Sequence, residues 1–291
     1  MVWPAMPVAD WSADAALAGV GLRREIAADL TLAPQGSFDF IEVAPENWIR
    51  VGGQYAKNLR ALTERVPLAL HGLSLNIGGF SPIDTELVKS IGLFIKQHQC
   101  PIYSEHLSYC GDHGHLYDLM PIPFRRDAIT FVAERILQVQ DCLGQRIALE
   151  NVSYYAAPEQ EIPEIEFINA VAKQADCDIL LDVNNVYVNS INHGYGAIDF
   201  MQNLPAERIA YMHVGGHFVE SENLRIDTHG AAVIEPVWQL LSDAYNLFGV
   251  VPTLLERDFN FPPLADLLAE VEQVRGVQRL RKGGFDGGPD A

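Results

Sequence analysis

Eight short runs of β-branched and aliphatic residues, each followed by a longer stretch with helical spacing, constrain the fold of this chain more than any other feature. Residues 147–149 and 179–181 are continuously apolar, which is typical of parallel strands buried on both faces. Eight strand–helix repeats favour an α/β fold closed into a single (β/α)₈ TIM barrel, because such barrels take about 250 residues and this chain has 291. We predict strands at residues 18–22, 38–43, 67–72, 101–106, 146–151, 178–183, 208–214 and 252–257.

Two of the predicted helices carry clear boundary signals. Ser81 followed by Pro82 predicts an N-cap and a proline at the first helical position, with Asp84 in the first turn. Residues 125–143 place apolar side chains along one stripe, and Gly144 follows as a stop signal.

The sequence indicates one domain and a cytoplasmic location. We assign residues 1–280 to the barrel and expect the glycine-rich residues 281–291 to form a flexible C-terminal tail. No stretch approaches the roughly 18–20 apolar residues that span a bilayer, so we expect no membrane contact. No Lys or Arg precedes Arg23, so the N-terminus lacks the positive segment of a signal peptide. The four cysteines form no C-x-x-C pair, which indicates reduced thiols.

Charge and motifs exclude several function classes. The formal net charge of −18 argues against a nucleic-acid partner, because affinity for phosphates comes mainly from Lys and Arg. No G-x-G-x-x-G or G-K-[ST] loop follows any predicted strand, so dinucleotide-binding and P-loop functions have no support.

Imidazoles and carboxylates lie at the ends of six successive predicted strands, and a further Asp-x-His pair follows the seventh. The residues are His71, His106, Glu150, Asp182, His213 and Glu256, with Asp227 and His229 as the pair. The C-terminal strand ends of a barrel converge on one face, so these side chains would meet there. Divalent iron, manganese and zinc bind such ligands, and one carboxylate can bridge two cations.

Each of these residues has a structural interpretation when it is taken singly. A strand-end histidine such as His71 is more often hydrogen-bonded than metal-bound, and Glu150 or Asp182 alone could pair with a neighbouring strand. As a set they favour metal binding, because buried carboxylates are costly unless they are paired or metal-bound. Other polar residues could serve the site or simply pack: Glu42, Asn47, Tyr109, the segment Asp112–His115, Tyr154, Tyr155, His193 and His217.

The motifs around these residues resemble those of the DUF692 (UPF0276) family, which includes multinuclear non-haem iron-dependent oxidative enzymes. They are GVGLR, FIEVAPENW, LHGLSLNIGG, SEHLSY, ALENVSYY, LLDVNNVYVN, MHVGGH, DTHG and LLERD, between about Gly19 and Val274. The resemblance implies a xylose isomerase-like TIM barrel with two or three clustered iron ions. It also implies oxygen-dependent modification of cysteines in a ribosomally made precursor peptide, with a separate partner protein that recognises the leader.

The same resemblance assigns the metal ligands. It implies one metal at His71 and His106, and Glu150 bridging to a second metal held by Asp182, His213 and Glu256. It implies a third at Asp227 and His229. The related trinuclear zinc endonucleases have a histidine where this chain has Asn185, so the third site should bind less tightly or prefer a harder ion.

We therefore expect an iron-dependent oxidative enzyme whose catalytic residues are Glu150, His106 and Asp182. Two alternatives remain open. The first is a zinc- or manganese-dependent hydrolase or isomerase that acts on a sugar or phosphoester. The second is a non-catalytic, metal-dependent binding protein.

Overall fold

The computed structural model describes residue 11 and residues 15–111, 114–157 and 159–283. Its strands, numbered along the chain, are β1 (Ala18–Gly21), β2 (Phe40–Val43), β3 (Leu68–Gly72), β4 (Tyr103–His106), β5 (Ser108–Gly111), β6 (His115–Pro121), β7 (Ala148–Glu150), β8 (Asp178–Asp182), β9 (Ile209–Gly215), β10 (His217–Ser221), β11 (Leu224–Asp227) and β12 (Thr253–Glu256). The α-helices are α1 (Ala27–Leu32), α2 (Gly53–Thr63), α3 (Thr85–His98), α4 (Arg126–Leu143), α5 (Glu164–Ala175), α6 (Val183–His193), α7 (Ala197–Gln202), α8 (Glu235–Phe248) and α9 (Leu264–Gly283).

Eight parallel strands close into a barrel in the order β1-β2-β3-β4-β7-β8-β9-β12, and β12 pairs back with β1. This arrangement confirms the predicted (β/α)₈ fold. Seven of the eight barrel strands lie within their predicted ranges, and β9 extends one residue beyond, to Gly215. The remaining described strands form two antiparallel hairpins, β5–β6 and β10–β11, which lie outside the eight predicted strands.

The start of α3 differs from the prediction. The N-cap is Asp84 rather than Ser81, because the Asp84 carboxylate accepts hydrogen bonds from the backbone N–H groups of Glu86 and Leu87, each at 3.0 Å. This cap satisfies donors that the helix itself leaves without partners. Pro82 therefore precedes the helix instead of opening it.

The other helix boundaries follow the sequence signals more closely. Helix α4 ends at Leu143, and Gly144 adopts the left-handed conformation (φ 72°) that a C-terminal glycine allows. Helix α9 continues through Gly283, three residues past the predicted end of the domain. Residues 284–291 of the expected tail lie outside the described part of the chain. None of the described helices is long and apolar enough to cross a bilayer.

The inside of the barrel has a lower apolar layer and an upper polar layer. The lower layer consists of Phe40, Ala69, Ala148, Leu180, Tyr211 and Leu254, all buried. The ring of Trp11 packs against it, with its centroid 4.9 Å from that of Phe40. Two residues further along the same strands, and so on the same face, lie Glu42, His71, Glu150, Asp182, His213 and Glu256. The polar layer is thus held at the C-terminal end of a filled barrel.

Candidate metal centre

The upper layer brings together the strand-end side chains identified in the sequence. Strand register places His106 opposite Glu150 and Asp182 opposite His213. His229 reaches the same place from the loop after the β10–β11 hairpin, and is also buried. Residues separated by up to 185 positions therefore share one buried cluster (His71 and Glu256).

Three groups in this cluster place one ligand atom of each member within 4.8 Å of the others. The groups are His71, His106 and Glu150; then Glu150, Asp182 and His213; then Asp182, His229 and Glu256. Glu150 belongs to the first and second groups, and Asp182 to the second and third. We refer to them as groups one, two and three. Shared carboxylates are the feature that allows neighbouring cations to lie within about 4 Å of each other.

The donor atoms of group one lie close to one another. Nε2 of His71 lies 2.8 Å from Oε2 of Glu150, and Nε2 of His106 lies 3.2 Å from the same oxygen. The two Nε2 atoms are 3.1 Å apart. Donors around one first-row metal ion at about 2.1 Å lie roughly 3 Å from each other, so this triangle has the size that an ion requires.

The family resemblance implied Glu256 at the second metal and Asp227 with His229 at the third, and this assignment stays a prediction. Glu256 falls in group three with His229, where its Oε2 lies 3.5 Å from Nδ1 of that ring. The same oxygen lies 2.9 Å from Nδ1 of His213, so Glu256 borders group two as well. Asp227 lies 2.9 Å from Nε2 of His229 but outside the three groups, and Ser153 and Asn184 donate hydrogen bonds to its carboxylate.

Asn185 lies beside the cluster on α6. Its Nδ2 donates hydrogen bonds to Oε1 of Glu150 and to the carbonyl of Asn151, each at 3.1 Å. Its backbone N–H donates to Oδ1 of Asp182 at 2.7 Å. In this arrangement Asn185 fixes the two shared carboxylates, and its own Oδ1 remains available to a ligand.

Two potential ligand atoms, Asp182 Oδ2 and Asn185 Oδ1, are buried without a hydrogen-bond partner among the described residues. Buried polar atoms are rarely left in this state unless water or an ion satisfies them. Nitrogen and oxygen donors without thiolate suit iron, manganese or zinc. The donor set, its separations and its orphaned atoms together fit a multinuclear metal centre.

The pKa values of the donors are shifted in different directions within the metal-free cluster. Burial raises the pKa of Glu150 to about 7 and that of Asp182 to about 8. Burial lowers the pKa of His71 and of His106 to about 4, so both rings are neutral at pH 7. Burial also acts to lower the pKa of His213 and His229, but neighbouring carboxylates outweigh it and raise both well above the ordinary value, so a cation at these two rings must displace a proton.

His229 is held in an unusual conformation. Its φ of 46° lies in the left-handed region, which a non-glycine residue seldom adopts. A Cβ atom on Gly215 would lie 2.5 Å from Cδ2 of the His229 ring, so only glycine fits there. Strained backbone conformations of this kind cluster at functional sites.

Three contributors were not assigned from the sequence. Arg23 follows β1 and pairs with Glu256, while Tyr211 and Ser104 lie inside the barrel beneath the donors. Glu42, which the sequence left open between two roles, lies 3.1 Å from Nε2 of His213. The signal that could have found Tyr211 and Ser104 is strand alternation, since each lies two residues before a predicted ligand on the same face.

An open cavity of about 660 Å³ lies over the donors. Its lining includes Leu73, Leu116 and Tyr155, which are 39%, 42% and 49% exposed and so mark the opening. Asn47 also lines this cavity.

The remaining candidates lie elsewhere. Tyr154 is buried and stacks on His193 with ring centroids 4.0 Å apart, which indicates packing for both. His217 is buried, and Tyr109 is half-buried in β5. Asp112 and His113 lie outside the described residues, and His115 opens β6.

Comparison with known proteins decides the family. The family described as "RiPP precursor modification enzyme MbnB/TglH/ChrH" matches residues 17–279, nearly the whole described chain. The chain belongs to the MbnB/TglH/ChrH family. A UPF0276 protein of Alcanivorax borkumensis is 57% identical over 272 residues, which cover 90% of this chain and 91% of that protein.

Solved structures similar to this member of the MbnB/TglH/ChrH family share its barrel at low identity. An L-ribulose 3-epimerase superposes with a TM-score of 0.62 at 15% identity, covering 95% of this chain and 100% of the other. A xylose isomerase domain protein of Alicyclobacillus acidocaldarius gives 0.60 at 17%, covering 91% and 99%. These similarities show a xylose isomerase-like fold.

Proposed function

We propose that this chain is a multinuclear iron-dependent enzyme that uses dioxygen to oxidise cysteine residues of a ribosomally made precursor peptide. The observation that carries the proposal is the set of three donor groups linked by Glu150 and Asp182. Membership of a family that modifies RiPP precursors supports a peptide as the substrate. Iron bound in the cluster would supply electron transfer with dioxygen and a positive charge that favours a substrate thiolate.

The protein's own residues would bind the metal ions and keep bulk water away from them. His71, His106 and Glu150 would bind one ion, and the two shared carboxylates would hold its neighbours. We assign the catalytic roles to His106, Glu150 and Asp182, all of which are buried in the cluster. Beneath them, the apolar layer around Tyr211 closes the barrel and separates the donors from water on that side.

The shape of the cavity supports a substrate that is larger than a sugar. Its wall combines apolar side chains such as Trp48 and Leu119 with the charged side chains of Arg23 and Arg24. A peptide segment would place its cysteine toward the donors and its neighbouring side chains along this wall. The hairpin residue Leu116 at the opening would contact the rest of the peptide.

The proposal also includes a partner protein and a cellular location. We infer a separate partner protein that recognises the leader, since the cavity offers room for a short segment only. We also infer a cytoplasmic location, which is consistent with four cysteines that are all free thiols.

The test begins with anaerobic purification, iron loading and elemental analysis. The loaded protein is then mixed with precursor peptides encoded beside its gene, with and without adjacent candidate partners, and exposed to oxygen. We expect two or three irons per chain and an oxygen-dependent change in the mass of one peptide, at its cysteine. Glu150→Gln should abolish the change, and Glu164→Gln, which alters a buried carboxyl outside the cluster, should retain it.

The same experiment discriminates the main alternative. Stoichiometric zinc or manganese with negligible iron after growth in iron-rich medium would contradict the proposal. Hydrolysis or isomerisation of a sugar or phosphoester without oxygen would then identify a hydrolase or isomerase on this fold.

A further inference from the structure

Glu42 lies at the junction of two hydrogen-bonded paths inside the barrel. Its Oε2 accepts a hydrogen bond from the Tyr211 hydroxyl at 2.8 Å, and Nε2 of His213 lies 3.2 Å from the same oxygen. The Tyr211 oxygen lies 2.5 Å from Oγ of Ser104, and that Oγ lies 2.8 Å from Nδ1 of His71. All five side chains are buried.

The direction of each proton along this path is fixed from the carboxylate outward. The oxygens of Glu42 face the Tyr211 hydroxyl and Nε2 of His213, two groups that can donate, so the carboxylate is the acceptor in both contacts. An ionised carboxylate only accepts, so the single proton of Tyr211 must be donated to it. The bond between Tyr211 and Ser104 must then use the proton of Ser104. The Leu70 carbonyl is the other acceptor near Ser104, at the longer distance of 3.2 Å.

The tautomer of His71 follows from this path. With its one proton donated to Tyr211, Ser104 accepts from His71, and the ring proton lies on Nδ1. His106 also carries its ring proton on Nδ1, because this atom lies 2.9 Å from the carbonyl of Gly72, which can only accept. Both rings therefore turn unprotonated Nε2 atoms toward Oε2 of Glu150. Two lone pairs and an ionised carboxylate oxygen around 3 Å apart repel each other unless a cation, or a proton on Glu150, lies between them.

We propose that Glu42 is a positioning residue that sets the proton arrangement of two ligand histidines in different donor groups. It acts on His213 by direct contact, and on His71 through Tyr211 and Ser104. The consequence for metal binding rests on the proposed metal centre. The consequence for the His71 tautomer does not, because it holds in metal-free protein. Carboxylates that fix a ligand histidine in this way are a general feature of metal sites.

Glu42→Gln is the sharpest test, because an amide has the same shape and can also donate. The glutamine N–H₂ can donate to Tyr211, Tyr211 to Ser104, and Ser104 to His71, which would move the His71 proton to Nε2. A proton on Nε2 would point at Glu150 and occupy the position that a metal ion needs. Tyr211→Phe interrupts the same path, and Tyr245→Phe is its matched control, since it removes a buried hydroxyl that lies 2.6 Å from Oγ1 of Thr253.

The measurement is ¹⁵N NMR of histidine ring nitrogens in metal-free full-length protein, followed by titration with ferrous iron and with zinc. We expect an Nδ1–H tautomer at His71 in the unmodified protein, and a population of Nε2–H in Glu42→Gln. We expect metal affinity about 10- to 100-fold lower in Glu42→Gln, and unchanged in Tyr245→Phe. In a Tyr211→Phe background, Glu42→Gln should no longer change the His71 signals.

Two results would overturn the proposal. One is an Nε2–H tautomer at His71 in the unmodified metal-free protein, a measurement that needs no variant to fold. The other is a folded Glu42→Gln protein whose ring signals and metal affinities match those of the unmodified protein. If the tautomer shifts as expected and the protein still binds no iron, the positioning role stands and the proposed iron chemistry fails.

Discussion

The guanidinium of Arg23 lies 2.8 Å from Oε1 of Glu256, while Oε2 of that carboxylate faces Nδ1 of His213 at 2.9 Å. The two oxygens of one side chain are thus divided between an arginine and the donor cluster. Arg23 also contacts Asp258 at 2.6 Å, so its position is fixed from two sides. One oxygen of Glu256 is thus left for a cation, and the ion pair with Arg23 fixes the orientation of the carboxylate.

Replacing Arg23 with methionine should weaken metal binding without unfolding the barrel. The variant leaves Glu256 free to rotate, and we expect metal affinity to fall by about 10- to 100-fold, as for other residues that orient ligands. Elemental analysis and zinc titration measure the effect. Arg146→Met is the matched control, because it removes an arginine that pairs with Asp176 and Asp178 outside the cluster. Equal metal affinity in the two variants would refute the prediction.

Replacing Glu150 with glutamine should remove more than one ion. Glu150 belongs to groups one and two, so its loss disturbs both, whereas His229→Ala disturbs group three alone. We expect a larger drop in bound metal per chain for Glu150→Gln than for His229→Ala, measured by elemental analysis after identical loading. An equal loss of one ion in both variants would show that the groups are filled independently.

Replacing Gly215 with alanine should displace His229. The new Cβ would lie 2.5 Å from Cδ2 and 3.1 Å from Nε2 of the ring, so the imidazole must move away from Asp182. We expect lower metal occupancy and a folded protein. Gly276→Ala in α9 serves as the control, since no atom lies within 4 Å of its added Cβ and alanine favours a helix. Unchanged occupancy in Gly215→Ala would mean that His229 contributes no ligand.

The contribution of Glu164 to the stability of the metal-free protein should decrease as pH rises from about 4.5 to about 8. Burial raises the pKa of Glu164 from 4.5 to about 8, and Tyr154 donates a hydrogen bond to its Oε2 at 3.1 Å. Between these values the folded state holds a proton that the unfolded state has lost, so the free energy of unfolding falls with rising pH.

Glu164→Gln tests this by imitating the protonated group at every pH. We expect the variant to be more stable than the unmodified protein at pH 8.5 and nearly equal to it at pH 4.5. Urea denaturation at a series of pH values measures both. A constant difference between the two proteins across the series would contradict the assignment.

The fold and most of the cluster were predictable because two local patterns determine them. The apolar runs of β7 and β8 identified buried parallel strands. A polar residue ends each run, Glu150 in β7 and Asp182 in β8, and both must therefore lie at the C-terminal face of the barrel. Convergence at that face is a property of every barrel, so no distance information was needed.

The remaining features depend on contacts that a single sequence does not specify. Which donors would share an ion depends on side-chain orientation, and Glu256 borders both group two and group three. The cap of α3 depends on which side chain accepts from the first free N–H groups, and Asp84 rather than Ser81 does so. The β10–β11 hairpin has exposed, weakly alternating residues such as Phe218 and Val219, which give little strand signal.

The sharing of Glu150 and Asp182 also restricts how the centre can change over evolutionary time. A substitution at either carboxylate damages two donor groups at once, whereas a substitution at His71 or His229 damages only one. A lineage that simplifies the centre can therefore lose its outer groups one at a time, with a working remainder after each step. If Glu150 or Asp182 is lost first, two donor groups are damaged at once and no such intermediate exists.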